Sequence, residues 1–240
     1  MLHRTPLEHL LVIDIETVSN VAEFAQLSPE WQELWEEKTA RTLPENTSPA
    51  DFYQQRAAIL AEFGKVVCIS IGYFKKVEGT YQFRVKSIAN RDEDLLLQNF
   101  ASTLQQLEAV HQKWCLAGHN IREFDIPFLC RRFLINALPI PACLDLQNVK
   151  PWEQNVLDTF QLWRFGDFKH YTSLKLLAAC FGVPSPKGDI DGSMVGKVFW
   201  MENDLDRIAA YCQRDVATVA NILLRMRGAA MLQDNQIVFV

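Results

Sequence analysis

The 240-residue sequence holds no apolar run long enough to cross a bilayer, so it gives no membrane span. Its opening segment, MLHRTPLEHLLVIDIET, carries a short apolar stretch but no small-residue cleavage site, and it passes directly into acids. That pattern reads as a buried strand and not as a signal peptide. Six cysteines occur without a CxxC pair, and Cys68, Cys115, Cys130 and Cys180 sit inside apolar runs. Irregular spacing of this kind reads as buried, reduced thiols in a cytoplasmic protein, not as zinc ligands or a disulfide framework. Positive charge is not in excess either: 24 Lys and Arg against 29 Asp and Glu leave a formal net charge of -5. Bulk attraction to nucleic acid is therefore excluded as a means of binding. Bound dications could still neutralise phosphate locally. Repeats, low-complexity tracts and linkers are absent, and 49% of the residues are apolar. One globular domain spanning 1–240 is expected.

What is present begins with HLLVIDI at 9–15, a near-continuous apolar run expected as a central strand covered on both faces. Residues 20–63, rich in Glu, Gln, Trp and Ala with LPENTSPAD in their midst, read as a helical insertion after that strand. KVVCISIGYFK and TYQFRVKSIA, joined by VEGT, read as an antiparallel hairpin. DEDLLLQNFASTLQQLEAV predicts an amphipathic helix behind an acidic first turn, and KWCLAGHN a short buried strand. Asp125, with Pro127 close behind, is expected to cap and open the next helix. A short strand near 155–160, a helix over 173–181 and a final helix capped by Asp204 and ending at Gly228 complete the pattern. The interleaving predicts an α/β protein with a mixed sheet.

Four acids stand out, because no core needs them. Asp14 and Glu16 sit two apart on the first strand and so project from one face. Asp125 lies at the start of a helix, behind a strand exit at Gly118 and a turn at Asn120. Tyr211 and Asp215 lie one helical turn apart. Two like charges ~4 Å apart repel by roughly 4 kcal/mol at an effective dielectric near 20. Converging carboxylates must therefore be protonated or bridged, and an oxygen-only set favours magnesium or manganese over zinc. His119 reads as a turn or packing residue.

The ordered set DIET, NIREFD and YCQRD resembles the three motifs of DEDD-type 3′–5′ exonucleases. Tyr211 places it with the tyrosine-bearing subgroup, since the position five residues before the last acid is Ala210 and not histidine. GHNIREFDIPFL, HYTSLKLLAACFGVP and DLDRIAAYCQRDVATV are similar to stand-alone exonucleases related to the proofreading domain of family-B DNA polymerases, over roughly residues 8–228. The resemblance implies a ribonuclease H-like fold with a five-stranded mixed sheet. It also implies two divalent ions, Mg2+ or Mn2+, held by Asp14, Glu16, Asp125 and Asp215, with Tyr211 orienting the attacking water. The implied substrate is the 3′ end of single-stranded nucleic acid, DNA before RNA.

Thr17, Asn120, Phe124, Tyr171 and Lys187 are the candidate substrate contacts, with Lys169, His170 and, in the insertion, Trp31, Trp35 and Arg56 as further possibilities. The insertion is expected to wall the substrate channel. Two other functions share the same acids: a catalytically silent nucleic-acid-binding module of this fold, and a hydrolase of short oligonucleotides.

Overall fold

A computed structural model describes residues 2–110, 114–147, 149–150, 153–184 and 189–240. The first apolar run becomes β1 (Leu10–Ser19), and Leu10, Leu11, Val12 and Ile13 are all inaccessible to solvent because both faces of the strand are covered. β1 pairs antiparallel with β2 (Gly64–Val77), and β2 pairs antiparallel with β3 (Thr80–Ala89). The hairpin turn is the two-residue Glu78-Gly79, with φ of 49° and 86°, the twist that suits a tight antiparallel connection. On its other side β1 meets the parallel strands β4 (Cys115–Gly118) and β5 (Val156–Asp158).

The mixed α/β sheet expected from the sequence is therefore present, but it has six strands and not five. A last strand, β6 (Ile237–Phe239), joins the outer edge of β3 in parallel and gives the order β5-β4-β1-β2-β3-β6. Three residues are too few to show the alternation by which strands are read.

Between β1 and β2 lie α1 (Pro29–Thr39) and α2 (Pro49–Arg56), each begun by a serine cap, Ser28 or Ser48, followed by proline. Trp35, Phe52, Tyr53 and Phe63 form a core belonging to this insertion alone, and the Trp35 indole N–H donates to the Pro49 carbonyl at 3.0 Å. Trp35 is thus a core residue and not a substrate contact; its ring is edge-packed against Tyr53 and Phe63.

α3 (Glu93–Val110) and α4 (Asp125–Ile135) cover one face of the sheet through Phe100, Phe133 and Leu129, which pack with Ile13 and Leu116. The opposite face is covered by α8 (Leu205–Met226), whose Val216, Val219 and Leu223 pack on Leu10, Val12 and Val85. Between them in sequence come α5 (Thr159–Arg164), α6 (Leu174–Cys180) and α7 (Val195–Lys197), the last running into a π turn over Val198–Glu202. Asp204 caps α8 as expected, accepting from the Arg207 amide at 3.0 Å.

One buried ion pair fastens these layers. Arg132 on α4 donates through Nε to both Glu93 oxygens (2.9 and 3.1 Å) and through Nη1 to the Ala61 carbonyl (2.8 Å). Glu93 also accepts from the Val66 amide at 2.7 Å and from Asn136 at 3.0 Å. The end of the insertion, β2, α3 and α4 are joined through the Arg132–Glu93 pair. Glu93→Ala leaves a buried guanidinium without its counter-charge, so a loss of about 3–5 kcal/mol is expected in urea unfolding at unchanged m-value. A loss below about 1 kcal/mol would show that neighbouring carbonyls suffice to hold Arg132.

Candidate active site

Strand alternation sets Asp14 and Glu16 on one face of β1, opposite Ser70 and Cys68 of β2 in the pairing register. Directly after Glu16 the register slips: Thr17 faces Val66, leaving Val67 as an extra residue. Such a bulge increases local twist and separates the residues before it from those after it. Asp14, Glu16 and the intervening Ile15 border a cavity of about 520 Å³, whereas Thr17 does not. That candidate contact falls outside the site because the bulge carries it away.

β4 ends at Gly118 beside β1. A Cβ on Gly118 would come within 2.1 Å of Ile121 Cγ2 and 2.8 Å of the Ile13 carbonyl. Close packing, more than a sharp exit, is what demands glycine there. Asn120 then adopts a left-handed conformation at φ 63°, which an Asn tolerates. The chain enters α4 at Asp125, but this carboxylate does not cap its helix as expected. The cap position is Phe124, and Asp125 Oδ1 reaches back to accept from the Ile15 amide at 3.1 Å. The last β1–β4 pair is Val12 with Ala117, so Ile15 lies beyond the end of β4 and its N–H is open to another acceptor.

From α8, Tyr211 and Asp215 arrive one turn apart, and the Tyr211 hydroxyl donates to the Asp215 carboxylate. Between them Cys212, read from the sequence only as an apolar position, donates its thiol to Asp14 Oδ2 at 3.3 Å and lies 3.4 Å from the Asp14 carbonyl. Donor atoms of Asp14, Glu16 and Cys212 lie within 4.8 Å of one another. Arg214, also passed over in the sequence, lines the cavity with one guanidinium nitrogen lacking a partner among the described residues. Its only sequence signal was adjacency to Asp215.

The acids are frustrated by this arrangement. Burial, then the charges of Asp125 and Asp215, raise Asp14 well above the usual carboxylate range. Burial followed by Asp14 and Asp215 does the same to Glu16. Asp125 is raised by burial to about 7, against the pull of the amide hydrogen bonds from its own N–H and from Ile15. Burial lifts Asp215 to about 6, opposed by the Tyr211 hydroxyl and by Arg214. Burial and the neighbouring Asp215 push the Tyr211 phenol far above its ordinary value. Oxygen donors that repel one another in a water-open cavity suit hard divalent cations, so the residues present fit such ions.

Asn120, Phe124 and Tyr171 line the same cavity, and Asn120 Oδ1 is buried with no partner among the described residues. His119 also borders it, but its ring nitrogens face Thr159 Oγ1 and the Thr172 carbonyl, each at 2.9 Å. It packs and orients, as read from the sequence. Lys169 and His170 are exposed beside Tyr171 without lining the cavity, and Lys187 lies outside the described residues. Trp31, Trp35 and Arg56 are absent from its lining, so among the described residues the insertion does not wall the cavity itself.

Over residues 59–236 the chain matches the family described as a predicted 3′–5′ exonuclease related to the exonuclease domain of PolB, and it belongs to that family. The matched span contains Asp125, Tyr211 and Asp215; Asp14 and Glu16 precede it and meet those residues through the fold. Among solved structures the chain is similar to the family B DNA polymerase from the hyperthermophilic archaeon Pyrobaculum calidifontis, with a TM-score of 0.54 and 18% identity. The similarity covers 93% of this chain but 24% of the polymerase, and it shows the shared ribonuclease H-like fold. No match is found among curated proteins.

Because folding raises these carboxylate pKa values, the folded chain holds more protons than the unfolded chain above about pH 4. Stability from this source is present at low pH and is lost as pH rises through about 6 for Asp215 and about 7 for Asp125. In chelator, the melting temperature should fall between pH 5.5 and 8, on the order of 5 °C for a few kcal/mol. Mg2+ or Mn2+ should restore it at pH 8, and Asp125→Asn should flatten the slope. A metal-free melting temperature that stays level or climbs over that window would contradict the electrostatics.

Proposed function

We propose that this protein is a metal-dependent 3′–5′ exonuclease of the tyrosine-bearing DEDD subgroup, acting on the 3′ end of single-stranded nucleic acid. The observation that carries the reading is the convergence, from β1, α4 and α8, of four carboxylates and Tyr211 on one open cavity of about 520 Å³. Kinship with the exonuclease domain of PolB supports DNA before RNA as the substrate. Six free cysteines agree with work in the cytoplasm, and no helix among the described residues is long and apolar enough to cross a membrane.

Asp14, Glu16, Asp125 and Asp215 would hold two divalent ions, Mg2+ or Mn2+. Bound there, such ions would supply a hydroxide nucleophile at neutral pH and offset charge on the departing 3′ oxygen. The chain's own groups prepare the site. The Cys212 thiol fixes the orientation of Asp14, and the Ile15 amide fixes that of Asp125. Neither carboxylate has to search for its rotamer when a phosphate arrives. Tyr211 has a phenol whose raised pKa makes it a poor base; with its proton donated to Asp215, its hydroxyl oxygen would accept a hydrogen bond from the attacking water and so position it. The open acceptor of Asn120 and the ring of Phe124 face the terminal nucleoside. Arg214 places a cation beside Asp215, where phosphate oxygens would lie.

Asp14→Ala and Asp215→Ala should reduce hydrolysis to background with the fold retained by circular dichroism. Tyr211→Phe should lower kcat roughly 10²-fold with KM little changed. Stepwise mononucleotide release from 5′-labelled strands, with immediate loss of a 3′ label, would establish polarity. Activity confined to very short oligonucleotides would favour the small-substrate hydrolase instead. Full activity in purified Asp14→Ala protein would overturn the mechanism.

A further inference from the structure

Residues 163–171 read WRFGDFKHY: four aromatic rings within nine positions, interspersed with Arg164, Lys169 and His170. Rings so dense in a connection between short helices are expected to be buried, yet Phe165 is 93% exposed, Phe168 76% and Tyr171 65%. Phe165 is also conformationally misplaced. It ends α5 in the left-handed region at φ 45°, ψ 34°, and Gly166 follows at φ 89°. Helix ends of this shape favour glycine, and a bulky side chain there costs about 1 kcal/mol or more. The position bears backbone strain and nearly full hydration of a phenyl ring together.

The exposed rings are not scattered. Tyr171 lines the cavity and packs edge-on against Phe160, with centroids 5.0 Å apart. The Arg164 guanidinium lies over the Phe160 ring at 4.1 Å and over Phe168 at 5.2 Å, held by its ion pair with Glu123 at 2.6 Å. Contacts thus link Tyr171 at the cavity, through the buried Phe160 and Arg164, to the exposed Phe168, and the exposed Phe165 directly follows Arg164 in the chain.

We infer that this segment is a stacking platform for the unpaired nucleotides that precede the 3′ terminal residue, with Phe165 and Phe168 receiving bases upstream of the one seated near Tyr171. The inference rests on the proposed exonuclease reading and extends it to the path of the substrate. Charge agrees with a polyanion. Lys169 and His170 stand exposed beside the rings, and Lys175 lines the cavity. Of the local acids, Glu123 is engaged by Arg164, and Asp167 accepts from the Lys169 amide at 2.9 Å. Alternation of rings with cations is the composition that tracks single strands, since every base offers a π-face and every linkage a charge. A protein-binding patch would have no need to be continuous with a carboxylate cavity. Bases already paired in a duplex have no free face to offer, so the platform supplies the single-strand preference that the insertion was expected to provide.

The test uses the full chain and the variants Phe165→Gly and Phe165→Ala/Phe168→Ala. Affinity for a fluorescent oligothymidylate is measured in chelator, and kcat/KM is measured with Mn2+ on the same oligomer and on the p-nitrophenyl ester of thymidine monophosphate, which needs only the cavity. The double variant should bind the oligomer roughly 10–100-fold more weakly, with the loss in KM and not kcat, while hydrolysis of the ester is unchanged. Phe165→Gly should melt no lower than wild type and still lose affinity, which separates binding from folding. Unchanged oligomer binding, or equal losses on both substrates, would overturn the platform. A wild-type protein that cleaves neither substrate would sink the exonuclease reading, and the binding measurement would still decide the platform.

Discussion

Everything in this molecule is organised around the cost of putting two carboxylates on a strand buried from both sides. β1 lies inside the sheet between β4 and β2, and its Leu10–Ile13 stretch is sealed from solvent. Asp14 and Glu16 continue that same strand. Their placement is tolerable only because β4 stops short of Ile15 and α8 leaves an opening above them, so a cavity replaces what would otherwise be core. The strand that anchors the fold thereby also anchors the chemistry. Rigidity in the one is inherited by the other.

The supports around the acids follow from the same constraint. Carboxylates crowded together must be kept from wandering, and three of the four acids have a hydrogen-bond partner. Cys212 serves Asp14, the Ile15 amide serves Asp125, and Tyr211 serves Asp215. Burial makes Cys212 a thiol and not a thiolate, so it donates to Asp14 without adding a fifth negative charge. A serine there would donate as well but would bring a more polar group into the cluster that packs Ile208 and Val198.

Much of this was legible in the sequence, and the failures have definable causes. Long periodic elements announced themselves: β1 by its apolar run, the hairpin by Glu78-Gly79, α8 by its stripe and its Asp204 cap. The acids were found because their residue type contradicts their local structure. β6 escaped because three residues carry no period. Asp125 was assigned the wrong partner because a capping role is local and visible, while its actual bond to Ile15 spans 110 positions. Thr17 was drawn into the site by simple adjacency, which cannot foresee a bulge. Trp35 and the insertion were misjudged for a different reason: composition tells that aromatics are present but not whether they pack on each other.

The distance along the chain between Asp14 and the helix that holds it has a bearing on how this protein comes into being. Cys212 and Asp14 are 198 residues apart, and α8 lies across β1, β2 and β3 as the last long helix. During synthesis the five strands that precede α8 and their α3–α4 cover can form while α8 is still emerging, leaving β1's acids on an open, half-covered face. No truncated or stalled chain lacking α8 can assemble the acid cluster. The order of elements along the chain withholds Asp215, the last of the four acids, until the fold is nearly whole.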